Sequence, residues 1–480
     1  MSEIVTEAPP PQTRTHGHSA PMRGDLTQGP ILKTLLMFSI PTLLSNLLQT
    51  LNGTVNSIWV GRLIGESALA ATANVNIIMF LLMATVFGFG MATTVRVGQS
   101  FGARDMDAAR VTFGSGMGFC VALSVLIGII GSMLAPRLLH MMATPEASRI
   151  EALDYLRVVF VTMPFGSLSI MLSMGMRGVG DAKVPLFAMI LTVLIDITMN
   201  PLLIRGFGPI PAMGISGSAW STAAANFAGA ALMLGWIYAR DLPLRLRGGE
   251  WAYLRPRGEE LRFIIAKGLP MGAQMLLVSS AGLVMVGLVN REGVATAAAY
   301  GASMQLWNYL QMPAFAIASA VSAMVAQNVG AGLHKRVSKI TMRGLIVNET
   351  VTVTLAVLIV IFDGPLLQMF LVRGSPSIPI AQHMQPIVSV SFVLFGIMMI
   401  LTGTMRAYGA VIIPLIIMFV AMYPARVGFY FAAFPYLGAE ALWYAYPFSA
   451  VVAVTMTGTI YLRGRWRKAG QAKSLPGRPG

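Results

Sequence analysis

Runs of about 20 apolar residues, the length of helix that crosses ~30 Å of hydrocarbon, alternate with short polar turns from residue 33 to 462 of this chain. Twelve can be drawn, at 34–60, 68–95, 111–134, 153–176, 185–204, 216–239, 263–289, 297–325, 342–362, 384–405, 412–434 and 441–462. In hydrocarbon every backbone amide and carbonyl must be bonded within the protein, so such runs are helices or the strands of a closed barrel. They are too long for barrel strands and lack alternation at period two. Composition agrees: 55% of the 480 residues are hydrophobic and 11% are charged, against about 25% charged in a soluble domain. The predicted fold class is an all-α integral membrane protein with twelve transmembrane helices.

A net charge of +15 would suggest nucleic acid in a soluble chain. Here most of the 34 Lys and Arg fall in alternate connections, at 96–110, 177–183, 240–267, 335–343 and 406, and in the two terminal segments. The positive-inside rule makes that side cytoplasmic, with both termini on it, and accounts for the charge without nucleic acid. A bacterial inner membrane is the expected location. Residues 1–32 are polar, proline-rich and without an apolar stretch, so no cleavable signal is visible and a disordered cytoplasmic tail is predicted. Residues 463–480 read as a second, basic tail. The single cysteine, Cys120, sits in an apolar run, which excludes an intrachain disulfide.

The chain repeats itself. GQSFGA at 98–103 matches AQNVGA at 326–331, and RGVGDAKVPLF at 177–187 matches RAYGAVIIPLI at 406–416, while Pro41 stands to Pro270 as Arg177 stands to Arg406. Agreement of spacing at separate places implies two six-helix halves in parallel orientation, 33–240 and 263–462, joined by a basic linker at 241–262.

Signatures of ATPases, metalloproteases, serine hydrolases and dinucleotide enzymes are missing, so no enzyme, cofactor or metal site is expected. Of the five histidines, His16 and His18 lie in the tail and His140, His334 and His383 at loops or span ends, where solvation explains them. Asn52 and Asn348 match N-x-T only by chance, being in or beside spans. Gly98 with Gly102, and Gly114 with Gly118, have the spacing that lets helix backbones approach. The 34 methionines fit an adaptable pocket or plain apolar filler equally well.

Ionisable groups within spans are more telling, because each costs a few kcal/mol at the bilayer centre. Asp196, in LTVLIDITMNPLLI, is the one carboxylate near a helix midpoint. Asn200 lies one turn on along the same face, and Pro201 frees the carbonyl of Ile197. The three make a candidate proton or cation site. The structural alternative is an ion pair with Arg426, the lone mid-span arginine, which falls beside the repeat equivalent of Asp196. Arg426 itself suits packing or a substrate cleft. Glu349 is a weaker second acid, explained by snorkelling towards Lys339 or Arg343. Asn46, Gln49, Asn52, Asn56, Asn74 and Asn76 give the first two spans more amides than lipid-facing helices carry, which suggests a cavity or interhelical bonding.

These residues resemble a known family. The stretch PTLLSNLLQTLNGTVNSIWVGRLIGESALAA, the repeated GQSFGARD and AQNVGAGL, and RGVGDAKVP with RAYGAVIIP are similar to the multidrug and toxic compound extrusion (MATE) transporters over essentially all of 33–462. The resemblance implies a V-shaped pair of six-helix bundles that opens alternately to either side and exports organic, often cationic, molecules in exchange for protons or sodium. It places Asn56 where the family's first helix commonly has aspartate, fifteen residues after the bending Pro41. It reverses an Asn-then-Asp pair to Asp196 then Asn200, and matches the sixth-helix threonine to Thr222. Acids found in the seventh and tenth helices of another branch are replaced here by Val278 and a residue near Phe395, so a second ion site looks absent. Proton coupling is therefore expected, with sodium as the alternative, since a proton needs one carboxyl and sodium several oxygens. The expected partners are a small-molecule substrate and membrane lipids, and the chain is expected to be a monomer. Other readings are a carrier of a specific metabolite or lipid-linked sugar, and a membrane scaffold or receptor without transport.

Overall fold

The computed structural model describes residues 24–141, 146–208 and 211–468. It contains 12 helices of spanning length. They are α1 (Ile31–Leu63), α2 (Glu66–Gly102), α3 (Met106–Met141), α4 (Glu146–Gly178), α5 (Lys183–Arg205), α6 (Ile215–Ala239), α7 (Gly258–Arg291), α8 (Val294–Gly330), α9 (His334–Ile361), α10 (Ser377–Ala407), α11 (Ile412–Leu437) and α12 (Glu440–Arg463). The predicted spans are all present, and most helices run past them at one or both ends because the polar flanks also continue the helical ladder.

Helix α3 sorts its residues as a bilayer requires. On α3, Leu126, Ile129 and Met133 are exposed on the outer face, while Gly128 and Gly131 admit Phe160 of α4 on the inner one. Many hydroxyls inside the spans bond back to the preceding turn, as Thr42 does to the Phe38 carbonyl (2.9 Å), Ser124 to Cys120 (2.7 Å) and Thr341 to Val337 (3.1 Å), so these reach the membrane already paired. Helix α11 is α-helical except over Ala421–Val427, a π-helical segment holding Pro424 and Arg426. Cys120 is buried and free. His140, His334 and His383 are exposed; His16 and His18 lie outside the described residues.

The two halves meet at the end bearing the basic loops, and the repeated motif makes the contact twice. From the first half, Gln99 Nε2 donates to the Ala407 carbonyl at the end of α10 (2.7 Å). From the second, Gln327 Nε2 donates to the Gly178 carbonyl at the end of α4 (3.1 Å). Gly102 lies flat against the backbone of Gln327, and Gly330 against that of Gln99. Gln99 with Gln327 and Gly102 with Gly330 are repeat equivalents, so the sequence duplication becomes a reciprocal clasp. Gly98 packs on Ala326 in the same seam, as its spacing suggested.

Three expectations about the connections need correction. Residues 24–30 are not part of a free tail: Leu26 is buried, its amide donates to Gln327 Oε1 (2.9 Å), and Asp25 pairs with Arg104 (2.7 Å). A buried apolar side chain and satisfied amides hold a segment whose composition alone reads as disordered; residues 1–23 lie outside the described residues. The linker is shorter than 241–262, because α7 begins at Gly258 with Glu259 and Glu260 in its first turn, where acids favour helix initiation. Its 3₁₀ turn Gly248–Leu254 lies against α3, with Glu250 on Arg110 (2.9 Å). Gly114 and Gly118 are therefore covered by Tyr253 and Leu254 of the linker, not by another spanning helix. At the other terminus Trp466 is buried between Tyr408 and Tyr461, so the start of the basic tail is docked, and 469–480 lie outside the described residues.

Candidate functional site

Helices α1, α5 and α6 each carry polar residues one turn apart on the face turned towards the other two. On α5 these are Asp196 and Asn200, each 1% exposed. On α1 they are Asn52 and Asn56, and on α6 Ser218 with Ser221 and Thr222. Helical spacing of three or four stacks each set on one face, so three short sequence patterns become a network of two layers.

The first layer surrounds the carboxylate. Asp196 accepts from Asn52 Nδ2 (2.9 Å), from Ser221 Oγ (2.8 Å), and more weakly from Thr222 Oγ1 at 3.3 and 3.4 Å to its two oxygens. In the second layer Asn56 Oδ1 accepts from Asn200 Nδ2 (2.7 Å) and Ser218 Oγ (2.6 Å). Tyr155 of α4 stands beside Asn56. Two acceptors in the network are left over: Asn52 Oδ1 and Asn200 Oδ1 are buried without a hydrogen-bond partner.

No cation stands within salt-bridge distance of Asp196 among the described residues. A charge at the centre of a span costs about 2.5–3.5 kcal/mol on insertion scales. Interhelical hydrogen bonds there return roughly 0.6–2 kcal/mol each, so three donors offset much of that cost. Asn52 can serve both states: its amide N–H donates to the carboxylate, and its unpaired oxygen would accept from the carboxylic acid after a rotation of the amide.

The structure thus joins Asp196, Asn200, Asn56 and Thr222 as expected, and moves Asn52 from a supposed cleft residue to a direct partner of the acid. Sequence reasoning missed Ser218, Ser221 and Tyr155. The serines were legible in SGSAWSTAAANF as residues three apart, preceding Thr222 on one face, whereas nothing local marks Tyr155. Asn76 is exposed on α2 and outside this network; the side chain of Asn74 lies outside the described residues. Pro41 and Pro201 fall inside uninterrupted helices, where each deprives one carbonyl of its usual donor.

The ion pair open as the alternative for Asp196 and the basic partner expected for Glu349 are both missing. Arg426 does not pair with Asp196: its Nε donates to Ser449 Oγ (3.0 Å), and its guanidinium stacks over the Tyr446 ring at 4.3 Å. Matching positions in the two repeats set matching depth, but they put the residues in different bundles. Glu349 forms no ion pair with Lys339 or Arg343; it accepts from Asn348 Nδ2 (2.9 Å) and faces Gly396 of α10. The second half therefore does present one half-buried acid beside Phe395, contributed by α9, while Val278 on α7 is partly exposed.

Comparison with known proteins agrees with the duplicated fold. The MatE family profile matches residues 41–202 and again 270–431, which is the internal duplication seen in the sequence. A probable multidrug resistance protein, YoeA, from Bacillus subtilis is 31% identical over 440 residues, covering 91% of this chain and 95% of the relative. A second from that organism, YpnP, is 28% identical over 446 residues, covering 92% and 97%. The crystal structure of a MATE transporter in complex with MaL6 superposes with a TM-score of 0.85 at 21% identity, covering 94% of this chain and all of that one. A duplicated family match across two six-helix halves places the chain in the MatE family, the multidrug and toxic compound extrusion transporters, as a multi-pass membrane protein.

Proposed function

We propose that this protein is a secondary antiporter that exports amphipathic small organic molecules in exchange for protons, with Asp196 as the coupling group. The observation that carries the reading is a buried carboxylate held by neutral donors from two neighbouring helices, with two unfilled acceptors beside it. The donors Asn52, Ser221 and Thr222 sit on α1 and α6, so protonation of Asp196 removes the charge that draws those helices together. A change of one proton is thereby turned into a change of packing in the first bundle. Sodium is the competing ion, and the two unfilled amide oxygens favour it more than the sequence alone did.

The clasp supports alternating access. Gln99, Gly102, Gln327 and Gly330 seal the two halves at the basic end, which we assign to the cytoplasm of a bacterial cell, so this conformation faces the opposite side. The resulting cycle has the protein take up protons on the outside, release them inside, and carry substrate the other way.

Everted vesicles carrying a pH gradient, acid inside, test this. Addition of substrates from a panel of organic cations, neutral drugs and anions is expected to discharge the gradient for the parent without sodium, and not for Asp196→Asn of equal abundance and stability. Full coupling by that variant would refute the assignment, and discharge only when sodium is present would replace the proton by sodium.

A further inference from the structure

The second bundle has its own buried polar centre, and its sign is opposite. Arg426 lies midway along α11, in the π-helical segment Ala421–Val427, and π turns inside helices frequently mark functional sites. Its guanidinium covers the ring of Tyr446, whose hydroxyl is 2.6 Å from that of Tyr300. Nε is bonded to Ser449, whereas no acceptor is bonded to either terminal nitrogen among the described residues. No carboxylate lies within salt-bridge distance among the described residues. Stacking orients the ring plane but leaves the four terminal N–H groups, arranged as a fork that matches an oxyanion, without partners.

The surroundings are unfilled too. Trp307 touches both Tyr300 and Tyr446, is 3% exposed, and its Nε1 donor has no partner. Ser303, fully buried between Tyr300 and Trp307 on the same face of α8, has an unpartnered hydroxyl as well. Buried donors are ordinarily bonded. A cation without counter-charge, beside buried donors without acceptors, calls for an anion.

We propose that Arg426 and the Tyr446–Tyr300 pair form a site for the oxyanion of an amphiphile, a carboxylate or phosphate-type group, whose apolar body lies against the aromatic side chains around it. The inference rests on the transporter reading for its purpose, and it narrows the substrate class: a purely cationic amphiphile would meet an uncompensated guanidinium in the second bundle. A molecule bearing both an oxyanion and a basic group fits the pair of centres, with Arg426 in one half and Asp196 at equivalent depth in the other.

Rhodamine 110, which carries a free carboxylate, and rhodamine 123, its methyl ester, isolate that group on one scaffold. Binding to the purified full chain in phosphatidylcholine vesicles is followed by fluorescence anisotropy without any ion gradient. The carboxylate dye is expected to bind the parent about tenfold more tightly than it binds Arg426→Gln, with Arg426→Lys between them and the ester insensitive to all three. Equal effects on both dyes, or none, would overturn the site. On the unmodified protein, benzoate is expected to displace rhodamine 110 and benzylamine is not; failure of benzoate to compete overturns the proposal even where the variants do not fold. Repeating the titration with phosphatidylglycerol present separates the sources. Weakened dye binding in the parent alone identifies a lipid headgroup as an occupant, and unchanged binding identifies the free solute. Because no gradient is used, loss of the anion site and loss of proton coupling at Asp196 are observed independently.

Discussion

Placing a methyl group at the clasp should open it. A Cβ on Gly102 would overlap the carbonyl of Gln327 and lie 2.8 Å from its Cα, and one on Gly330 would overlap the carbonyl of Gln99 and lie 2.9 Å from its Cα. Both obstacles are backbone, so no rotamer change relieves them, and the helices must separate by roughly 1 Å to regain carbon–carbon contact distance. Overpacking of this kind costs about 1–3 kcal/mol. The cost falls only on the conformation in which the basic ends touch, so each substitution should shift the equilibrium towards the separated state by roughly 5- to 150-fold. Spin labels at Asp107→Cys on α3 and Lys335→Cys on α9, both exposed and one in each half, would report the separation by pulsed EPR in a Cys120→Ala background. Gly102→Ala and Gly330→Ala are expected to move the distance distribution to longer values. Gly235→Ala, where nothing lies within 4 Å, should leave it alone. Superimposable distributions for the clasp variants and the parent, in protein that remains folded, would refute the clasp as the gate.

Two further outcomes follow from the connections. Trp466→Ala removes a buried indole lodged against Tyr408 and Tyr461, at a cost of about 3–5 kcal/mol if the site does not collapse; hydrogen exchange at 461–467 should rise sharply, and unchanged protection would contradict a docked tail. Asp241 is exposed, and its pairing with Arg247, reinforced by Arg245, holds its carboxyl below the usual range. The stabilisation this gives the linker is present above the unfolded value near ~3.9 and is lost as pH falls through the lower folded value. Trp251 stacks on Tyr238, which Arg245 covers, so its fluorescence should stay flat from about pH 8 to about pH 5; a transition near neutrality would show that another group controls the linker.

Much of the candidate site could be read from one helix at a time. Asp196 and Asn200 stand out because a carboxylate in an apolar run is costly, and Asn56 and Thr222 because a resemblance pointed to them. Ser221, which makes the shortest hydrogen bond to Asp196, is legible only through its spacing from Ser218 beside Thr222, since serine in a small-residue helix packs as readily as it binds. Whether Asp196 pairs with Arg426 is open in the sequence for a reason intrinsic to repeats: equal position in two halves fixes depth along the membrane normal and says nothing about distance across it. Glu349 was misjudged because snorkelling length allowed a basic partner, while the small Gly396 gave its carboxylate a nearer place.

The sequence by itself determined the number of spans and the duplication, because hydrocarbon thickness and a repeated motif both act along the chain. Only the tertiary structure decided that Asn52 faces Asp196, that Arg426 faces Tyr446, and that the two copies of one motif grip each other across the halves. Those are meetings between helices far apart in sequence, set by which small residues let backbones approach, and no single helix carries that information.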